Sequence, residues 1–358
     1  MKQLNIAIIG LGNIGSYLYK YLKENKKILT IKNNCSPVVK FVSARNKNKT
    51  RKIKIPKREW LKNYLDATKL KDIDLIVELI GGAEGPAKKL VFAALKNKKN
   101  VVTANKALIA KYGDELSRIA EKNKVNLEFE ASVCGGVPII RSLKEGLIAN
   151  RISKIYGIFN GTSNYILSSM DKQNKSFEEV LSVAKHLGYA ESNPSADLNG
   201  DDVSSKLKIL TSLCFNSFLD DKIYVEGINE IDKIDIDNAN KLGYKIKLLG
   251  YAESLNKKIY QRVHPTLIKK TSYVASIDGV LNAVIIDGNP VGRSTIQGEG
   301  AGPAATTSAL VSDISSILRG NIKFPFSLSN EERRKIKNKK IDNRYFSAYL
   351  RFEVIDKP

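Results

Sequence analysis

Apolar residues in the first 130 positions fall into short runs separated by stretches of helical periodicity. LNIAIIG (Leu4–Gly10) is a strand-like run that ends at glycine, and Gly12–Lys26 follows with Ile14, Leu18, Tyr21 and Leu22 on one helical face. VVKFVSAR (Val38–Arg45) and DLIVELIGG (Asp74–Gly82) read as the second and third strands. A helix is expected over PAKKLVFAALKN, where Pro86 suits a first helical turn. NVVTA (Asn100–Ala104) predicts a fourth strand, Lys106–Asn123 a helix and VNLEFEA a fifth strand. Strands alternating with helices in this way predict a parallel sheet covered on both faces.

Beyond Ala131 the alternation stops. CGGVPIIRSLKEGL reads as a loop feeding a helix, and KIYGIFNGTSNYILSSM as strand, Gly-Thr turn and helix. FEEVLSVAKHLGYAE is an amphipathic helix, SNPSADLNGDD a turn-rich loop and VSSKLKILTSLCF a helix. IYQRVHPTLI and LNAVIIDG are strand-like, and TIQGEGAGPAATTSALVSDISSILRG is a glycine loop entering a long helix. The expected fold is α/β: a Rossmann-type, doubly wound parallel sheet in residues 1–130, completed by helix 303–320. Residues 131–302 form an α+β domain on a mixed or antiparallel sheet. Residues 321–358 hold a charged linker, EERRKIKNKK, and one strand, RYFSAYLRFEVIDKP.

A hydrophobic fraction of 42% supports a full core, no apolar run approaches a bilayer span, and the N-terminus is no signal peptide. Cys35, Cys134 and Cys214 are too scattered for a disulfide framework or a zinc site. These features predict a cytoplasmic protein without a membrane partner. The formal charge of +22 is the unusual feature, and +16 of it lies in residues 1–130. Nucleic acid, an anionic membrane, acidic small molecules or plain lysine bias would each produce such a surplus. A basic stripe interleaved with exposed aromatics is missing, which argues against a nucleic-acid partner.

GLGNIG supplies an acidic ligand instead. Gly10, Gly12 and Gly15 stand in GxGxxG register between a strand and a helix, where a dinucleotide pyrophosphate meets Asn13, Ile14 and the free N–H groups of the helix start. A glycine-rich turn without a ligand is the plainer alternative. The second strand ends in Arg45, followed by Lys47 and Lys49, with no carboxylate to take a ribose 2′-hydroxyl. An arginine there suits a 2′-phosphate, so NADP is expected, with NAD possible. Asp202 and Lys206 are spaced i, i+4 and share a helix face, as a surface salt bridge or as a carboxylate-held proton donor.

LIVELIGG with VVTANKALIA, FEASVCGGVPIIRSL, GIFNGTSNYIL and LGYAESNPSADLNGDDVSSK, in that order, strongly resemble the homoserine dehydrogenases from about residue 4 to 320. The resemblance implies reversible, nicotinamide-dependent reduction of L-aspartate 4-semialdehyde to L-homoserine in threonine and methionine biosynthesis. Fold alone leaves another NADP-dependent reductase of an amino-acid aldehyde as the alternative. The resemblance makes Lys206 and Asp202 the catalytic pair and Lys106 a second lysine between cofactor and substrate. Glu191 and Asp197 would take the substrate ammonium, the Gly161–Thr162 turn its carboxylate, and Tyr189 the wall. Thr103, Ala104, Gly302 and Thr306 would line the cofactor, with Ala305 where the family often has proline. The carbonyls of Glu130, Val133, Gly135 and Val137 would ligate a monovalent cation, sodium by family pattern. Cys134, His186 and His264 are expected to be structural. A homodimer through the second sheet is implied too. The tail resembles the first strand of an ACT regulatory domain, so this chain is expected to carry no amino-acid effector site of its own.

Overall fold

The computed structural model describes residues 2–219, 223–256, 258–321, 323–335, 345–352 and 354. The first sheet contains β1 (Gln3–Ile9), β2 (Ser36–Ser43), β3 (Leu75–Glu78), β4 (Asn100–Thr103) and β5 (Leu127–Glu128). All pairs are parallel and the order is β2-β1-β3-β4-β5. Between the strands run α1 (Asn13–Glu24), α2 (Lys26–Asn33), α3 (Pro86–Lys96) and α4 (Lys106–Asn123). Both faces of β1 are buried: Ile6 and Ile8 point into the core with α1, Ala7 and Ile9 into that with α3 and α4. The helix expected over Gly12–Lys26 breaks at Asn25, whose backbone N–H closes α1 on Tyr21, and α2 starts at once. The fifth strand shrinks to two residues because Glu130–Ser132 turns into a 3₁₀ helix.

The second half contains α5 (Ile139–Arg141), β6 (Arg151–Ile158), α6 (Gly161–Gln173), α7 (Phe177–His186), α8 (Ser195–Leu198), α9 (Asp201–Phe215) and β7 (Tyr224–Val225). It continues with α10 (Lys233–Lys241), β8 (Tyr244–Leu255), β9 (Lys258–Lys269), β10 (Leu281–Asn289), β11 (Gly292–Glu299) and α11 (Pro303–Leu318). The sheet order is β11-β10-β6-β8-β9-β7, antiparallel except for β7 with β9. The expected glycine loop TIQGEG is therefore mostly an edge strand, and α8 forms inside the expected loop SNPSADLNGDD. α9 is buried almost all round, between β6, β8 and α4, so polar residues on it sit in the core. α11 returns to the first sheet and packs Ala309, Leu310, Ile314 and Ile317 beside Leu18 and Leu22 of α1.

The charged linker begins as part of the body. Phe326 stacks on Phe129 at 5.2 Å, and buried Arg333 donates to Asp114 at 2.7 Å, Ser212 at 2.7 Å and the Ser217 carbonyl at 2.8 Å. Its remainder, 336–340, lies outside the described residues. The expected tail strand does not form: residues 345–352 pair with no neighbouring strand. Tyr349 and Arg351 instead bond to Asp235, and Arg351 to Asp232, at the start of α10. The rest of that segment, Arg344 and 355–358 included, lies outside the described residues.

The glycine turn yields a stability prediction. A Cβ on Gly15 would lie 2.0 Å from the Gly10 carbonyl oxygen, whereas one on Gly12 meets nothing within 4 Å. Gly15→Ala should cost at least about 1–3 kcal/mol in urea denaturation, and Gly12→Ala less than about 1 kcal/mol. Equal losses would show that the turn is not packed this way.

Candidate active site

Two groups of residues open toward one another: the carboxyl ends of the parallel strands and the segment from β6 to α9. At the first, Gly10 adopts φ 110° and its Cβ position lies 2.3 Å from the Leu79 carbonyl oxygen, so strand and turn nearly touch. Gly12 starts α1 without a side-chain cap, leaving first-turn N–H groups facing the open space above it. β1 is flanked by β2 and β3, so this crevice is the topological switch point where open α/β sheets take ligands. Gly302, at φ 105° with no side-chain cap, begins α11, and Thr306 donates its N–H to the Gly302 carbonyl. These cradles fit a dinucleotide.

Arg45 lies two residues beyond β2, exposed and without a hydrogen bond or ion pair among the described residues. The structure adds Arg51, which sequence reasoning missed. Its guanidinium donates to the Leu11 carbonyl at 3.0 Å and to the carbonyls of Asn46, Lys47 and Lys49, and it lies 5.5 Å from the Trp60 ring centroid. Arg51 therefore fastens the basic loop onto the glycine turn. Glu78 was also missed. Fully buried at the end of β3, it accepts from Thr103 Oγ1 at 2.5 Å and from the N–H groups of Ile80 and Gly81 at 2.7 and 3.1 Å. A lone acid closing an apolar strand was the available signal. Thr103 in turn accepts the Asn105 N–H, and Asn105 caps α4, which sets the position of Lys106.

At the second group, Lys206 Nζ donates to Asp202 Oδ2 at 2.7 Å and to the Phe159 carbonyl at 2.6 Å. Lys106 Nζ reaches Asp202 Oδ1 at 3.0 Å across the gap between α4 and α9. The Asn160 amide, a further missed residue, donates to Asp202 Oδ2 at 2.8 Å and Asp197 Oδ1 at 2.7 Å. Burial alone would raise the Asp202 pKa, but Lys206, Lys106 and the Asn160 bond together hold it well below the usual carboxylate range. Burial likewise opposes the charge on Lys206, and the Asp202 carboxylate outweighs it, so the Lys206 pKa is raised. Asp197 is pushed up by burial and by the neighbouring Asp202 charge. One carboxylate is held as an anion beside a lysine held as a cation, and a second is biased toward its proton.

Thr162 Oγ1 donates to the Tyr189 carbonyl at 2.7 Å, and the Tyr189 ring packs against Tyr165 at 5.0 Å. Gly161 is tight against Val280, whose carbonyl oxygen would lie 2.7 Å from a Cβ. The structure does not join Glu191 to this cluster: it is exposed and makes no hydrogen bond or ion pair among the described residues. Cys134 is buried and its thiol is pushed up to about 12 by burial, which suits a packed thiol rather than a nucleophile. His264 bonds to Thr266 at 2.7 Å, outside the cluster. In the segment expected to hold a cation, the Glu130 carbonyl accepts from Val133 N–H and the Val137 carbonyl from Ile139 N–H. The carbonyls of Val133 and Gly135 accept nothing from the described residues.

Comparison with known proteins gives the family. A family model described as homoserine dehydrogenase matches residues 138–315, and one described as homoserine dehydrogenase, NAD binding domain, matches 10–130. Homoserine dehydrogenase of Neisseria gonorrhoeae is 42% identical over 320 residues, 89% of this chain and 73% of that protein. The Helicobacter pylori enzyme is 43% identical over 324 residues, 89% and 74% of the two chains. The chain belongs to the homoserine dehydrogenase family. A crystal structure of a homoserine dehydrogenase from Thiobacillus denitrificans superposes with a TM-score of 0.90 at 38% identity, covering 95% of this chain and 80% of that one. One from S. aureus superposes at 0.79 with 39% identity, covering 91% and 78%. The activity is that of a homoserine dehydrogenase: reversible, nicotinamide-dependent reduction of L-aspartate 4-semialdehyde to L-homoserine. No helix among the described residues is long and apolar enough to cross a membrane.

Asp202→Asn leaves Lys206 buried without its carboxylate. The loss should be about 3–5 kcal/mol at pH 7. The raised Lys206 pKa depends chiefly on Asp202; in the variant burial is opposed only by the weaker pull of Cys134 and Asp197, so the pKa falls. The parent keeps the gain from its charged pair between pH 7 and pH 10, because its pKa is raised; the variant recovers stability as pH rises through its lowered Lys206 pKa and the buried lysine loses its charge. The gap between parent and variant should therefore narrow at alkaline pH. Urea denaturation at pH 7 and pH 10 checks this, and a gap that widens with pH contradicts the pairing.

Proposed function

We propose that this homoserine dehydrogenase uses NADPH in preference to NADH, with Lys206 as the proton donor to the aldehyde oxygen. The observation that carries the catalytic assignment is Asp202, whose two oxygens bind Lys206 and Lys106 at 2.7 and 3.0 Å. The nicotinamide, when bound, supplies the hydride in reduction and accepts it in oxidation. Lys206, held charged by Asp202, neutralises the oxyanion that forms on the carbonyl and gives it a proton. In the oxidation of homoserine the same lysine, once neutral, takes the hydroxyl proton back. Lys106 adds a second positive charge on the cofactor side and is the alternative donor.

Asp197 and Glu191 would receive the substrate ammonium, the backbone of Gly161 and Thr162 its carboxylate, and Tyr189 would wall the pocket. An arriving ammonium favours the ionised form of Asp197, opposing the burial and the Asp202 charge that raise its pKa. Gly10, Gly12, Asn13, Ile14 and Gly15 would hold the pyrophosphate, and Thr103, Ala104, Lys106, Gly302 and Thr306 the nicotinamide half. Arg45 is free to clamp a 2′-phosphate, and residues 45–58 contain no acidic residue to repel one. A sodium ion would be held by the carbonyls of Glu130, Val133, Gly135 and Val137, and those of Val133 and Gly135 accept no hydrogen bond from the described residues. Residues 1–130 with helix 303–320 would form the cofactor domain, 131–302 the catalytic and dimerisation domain, and 321–358 an appended segment. The reading extends to a cytoplasmic homodimer paired through the second sheet, whose outer face carries the stacked Tyr156 and Tyr251 rings.

Lys206→Ala should lower kcat at least about 100-fold while NADPH binding by fluorescence titration stays close to that of the parent. Near-normal turnover transfers the donor role to Lys106 or water. Arg45→Asp should raise the KM for NADPH at least about tenfold and leave NADH nearly unaffected. An equal effect on both cofactors removes the phosphate clamp.

A further inference from the structure

Asn160 joins β6 to α6, is buried, and has no part in the roles assigned above. Its carboxamide is committed at every polar position. Oδ1 accepts the Ser163 N–H at 2.8 Å, which caps α6 and fixes which way the amide faces. The NH2 group then points away from the helix, and its hydrogens go to Asp197 Oδ1 at 2.7 Å and Asp202 Oδ2 at 2.8 Å. Phe159, the residue before it, accepts from Lys206 at 2.6 Å. One dipeptide thus touches the lysine and both carboxylates.

Two carboxylates held on one amide repel each other's charge, and the repulsion drives Asp197 toward its proton. A neutral group that donates twice and has no proton to give relieves that conflict without titrating. Serine or threonine would cap the helix but could not reach both acids, aspartate would cap but could not donate, and glutamine is a methylene too long to do both. We propose that Asn160 is a positioning residue for the reaction: its two amide hydrogens hold Asp202 against Lys206 and Asp197 toward the substrate ammonium, and offset the repulsion between the two acids. This rests on the roles proposed for Lys206 and Asp197.

Helix capping alone would also retain an asparagine here, so the test keeps the cap and removes the donors. Asn160→Ser and Asn160→Asp both leave a capping oxygen; the serine variant is expected to melt near the parent, and the aspartate variant, which buries a third carboxylate, to melt lower but still fold. In the serine variant kcat/KM for aspartate semialdehyde should fall about 10–100-fold. Its acid limb should move to higher pH, because Asp197 loses a bond that favours its anion, while NADPH affinity is unchanged. The aspartate variant, with a third acid in the cluster, should show the larger fall and the larger shift. Parent-like kcat/KM and pH profiles in both folded variants overturn the inference. Lys206→Ala measured alongside separates the two levels. Normal turnover there defeats the site reading itself, and its collapse with parent-like Asn160 variants defeats the positioning role alone.

Discussion

Asp202 is a single buried negative charge, and the arrangement of both halves of the molecule follows from how that charge is satisfied. Moving a carboxylate out of water costs several kcal/mol even after relaxation, so it persists only where its lone pairs are filled by good donors. Here the donors come from three places: Lys206 a turn along α9, Lys106 at the start of α4, and Asn160 at the end of β6. α4 belongs to the parallel sheet and α9 to the mixed one, so one ion cluster ties the cofactor side to the substrate side. The same pairing keeps Lys206 protonated in surroundings that oppose its charge, which is the condition a general acid requires.

What could be read from the sequence divides along the range of the interactions involved. β1, β3 and the glycine turn were legible because an apolar run closed by glycine is a local signal, β4 because of its short apolar run, and α4 was placed at Lys106–Asn123 by its helical pattern. α2 was hidden because it continues the helical pattern of α1 with a one-residue break. β11 was hidden because a polar edge strand lacks an apolar run. Asp202 and Lys206 were legible as an i, i+4 pair, and their catalytic reading and that of Lys106 entered through motif resemblance; the structure brings the three together at 2.7 and 3.0 Å. Asn160 meets its partners 37 and 42 residues away, and Arg51 meets Leu11 forty residues back, so neither shows in any local pattern. Arg333 looked like linker charge because its four basic and acidic neighbours dominate the composition, yet it is the one that packs inside. The tail has the alternating pattern of a strand, but among its described residues 345–352 join no sheet edge, and Tyr349 and Arg351 bind the start of α10 instead.

The basic surplus takes on a more limited meaning in three dimensions. Much of it is exposed lysine on the helices and loops of the first domain, paired loosely if at all, as in the Lys20–Glu24 contact at 3.8 Å. Its organised part is the loop after β2, where Arg51 is spent on backbone carbonyls and Lys47 sits over Trp60, leaving Arg45 unpaired at the crevice. An arginine used as a fastener and another left free beside it are different functions that net charge cannot distinguish.

Hydride transfer demands that donor and acceptor carbons meet at close range, so the two halves must be placed relative to one another with small error. Two ties do this differently. Deep in the structure, Asp313 of α11 accepts the Glu130 N–H at 2.9 Å and the Arg141 guanidinium at 3.1 Å. It thereby locks the helix that begins at the cofactor crevice to the crossover between the domains. Asp313 and Glu130 are buried there, and Arg141 is partly exposed. The Lys106–Asp202 contact lies at the rim, with the lysine side chain 41% exposed. Lys106 binds Asp202 Oδ1, so a hydrogen-bond donor entering there can take its place only by binding that oxygen, while Lys206 and Asn160 stay on Oδ2. The cluster is thus rigid on the side that fixes protonation and exchangeable on the side that faces the reactants. A reversible dehydrogenase needs both properties at the same carboxylate.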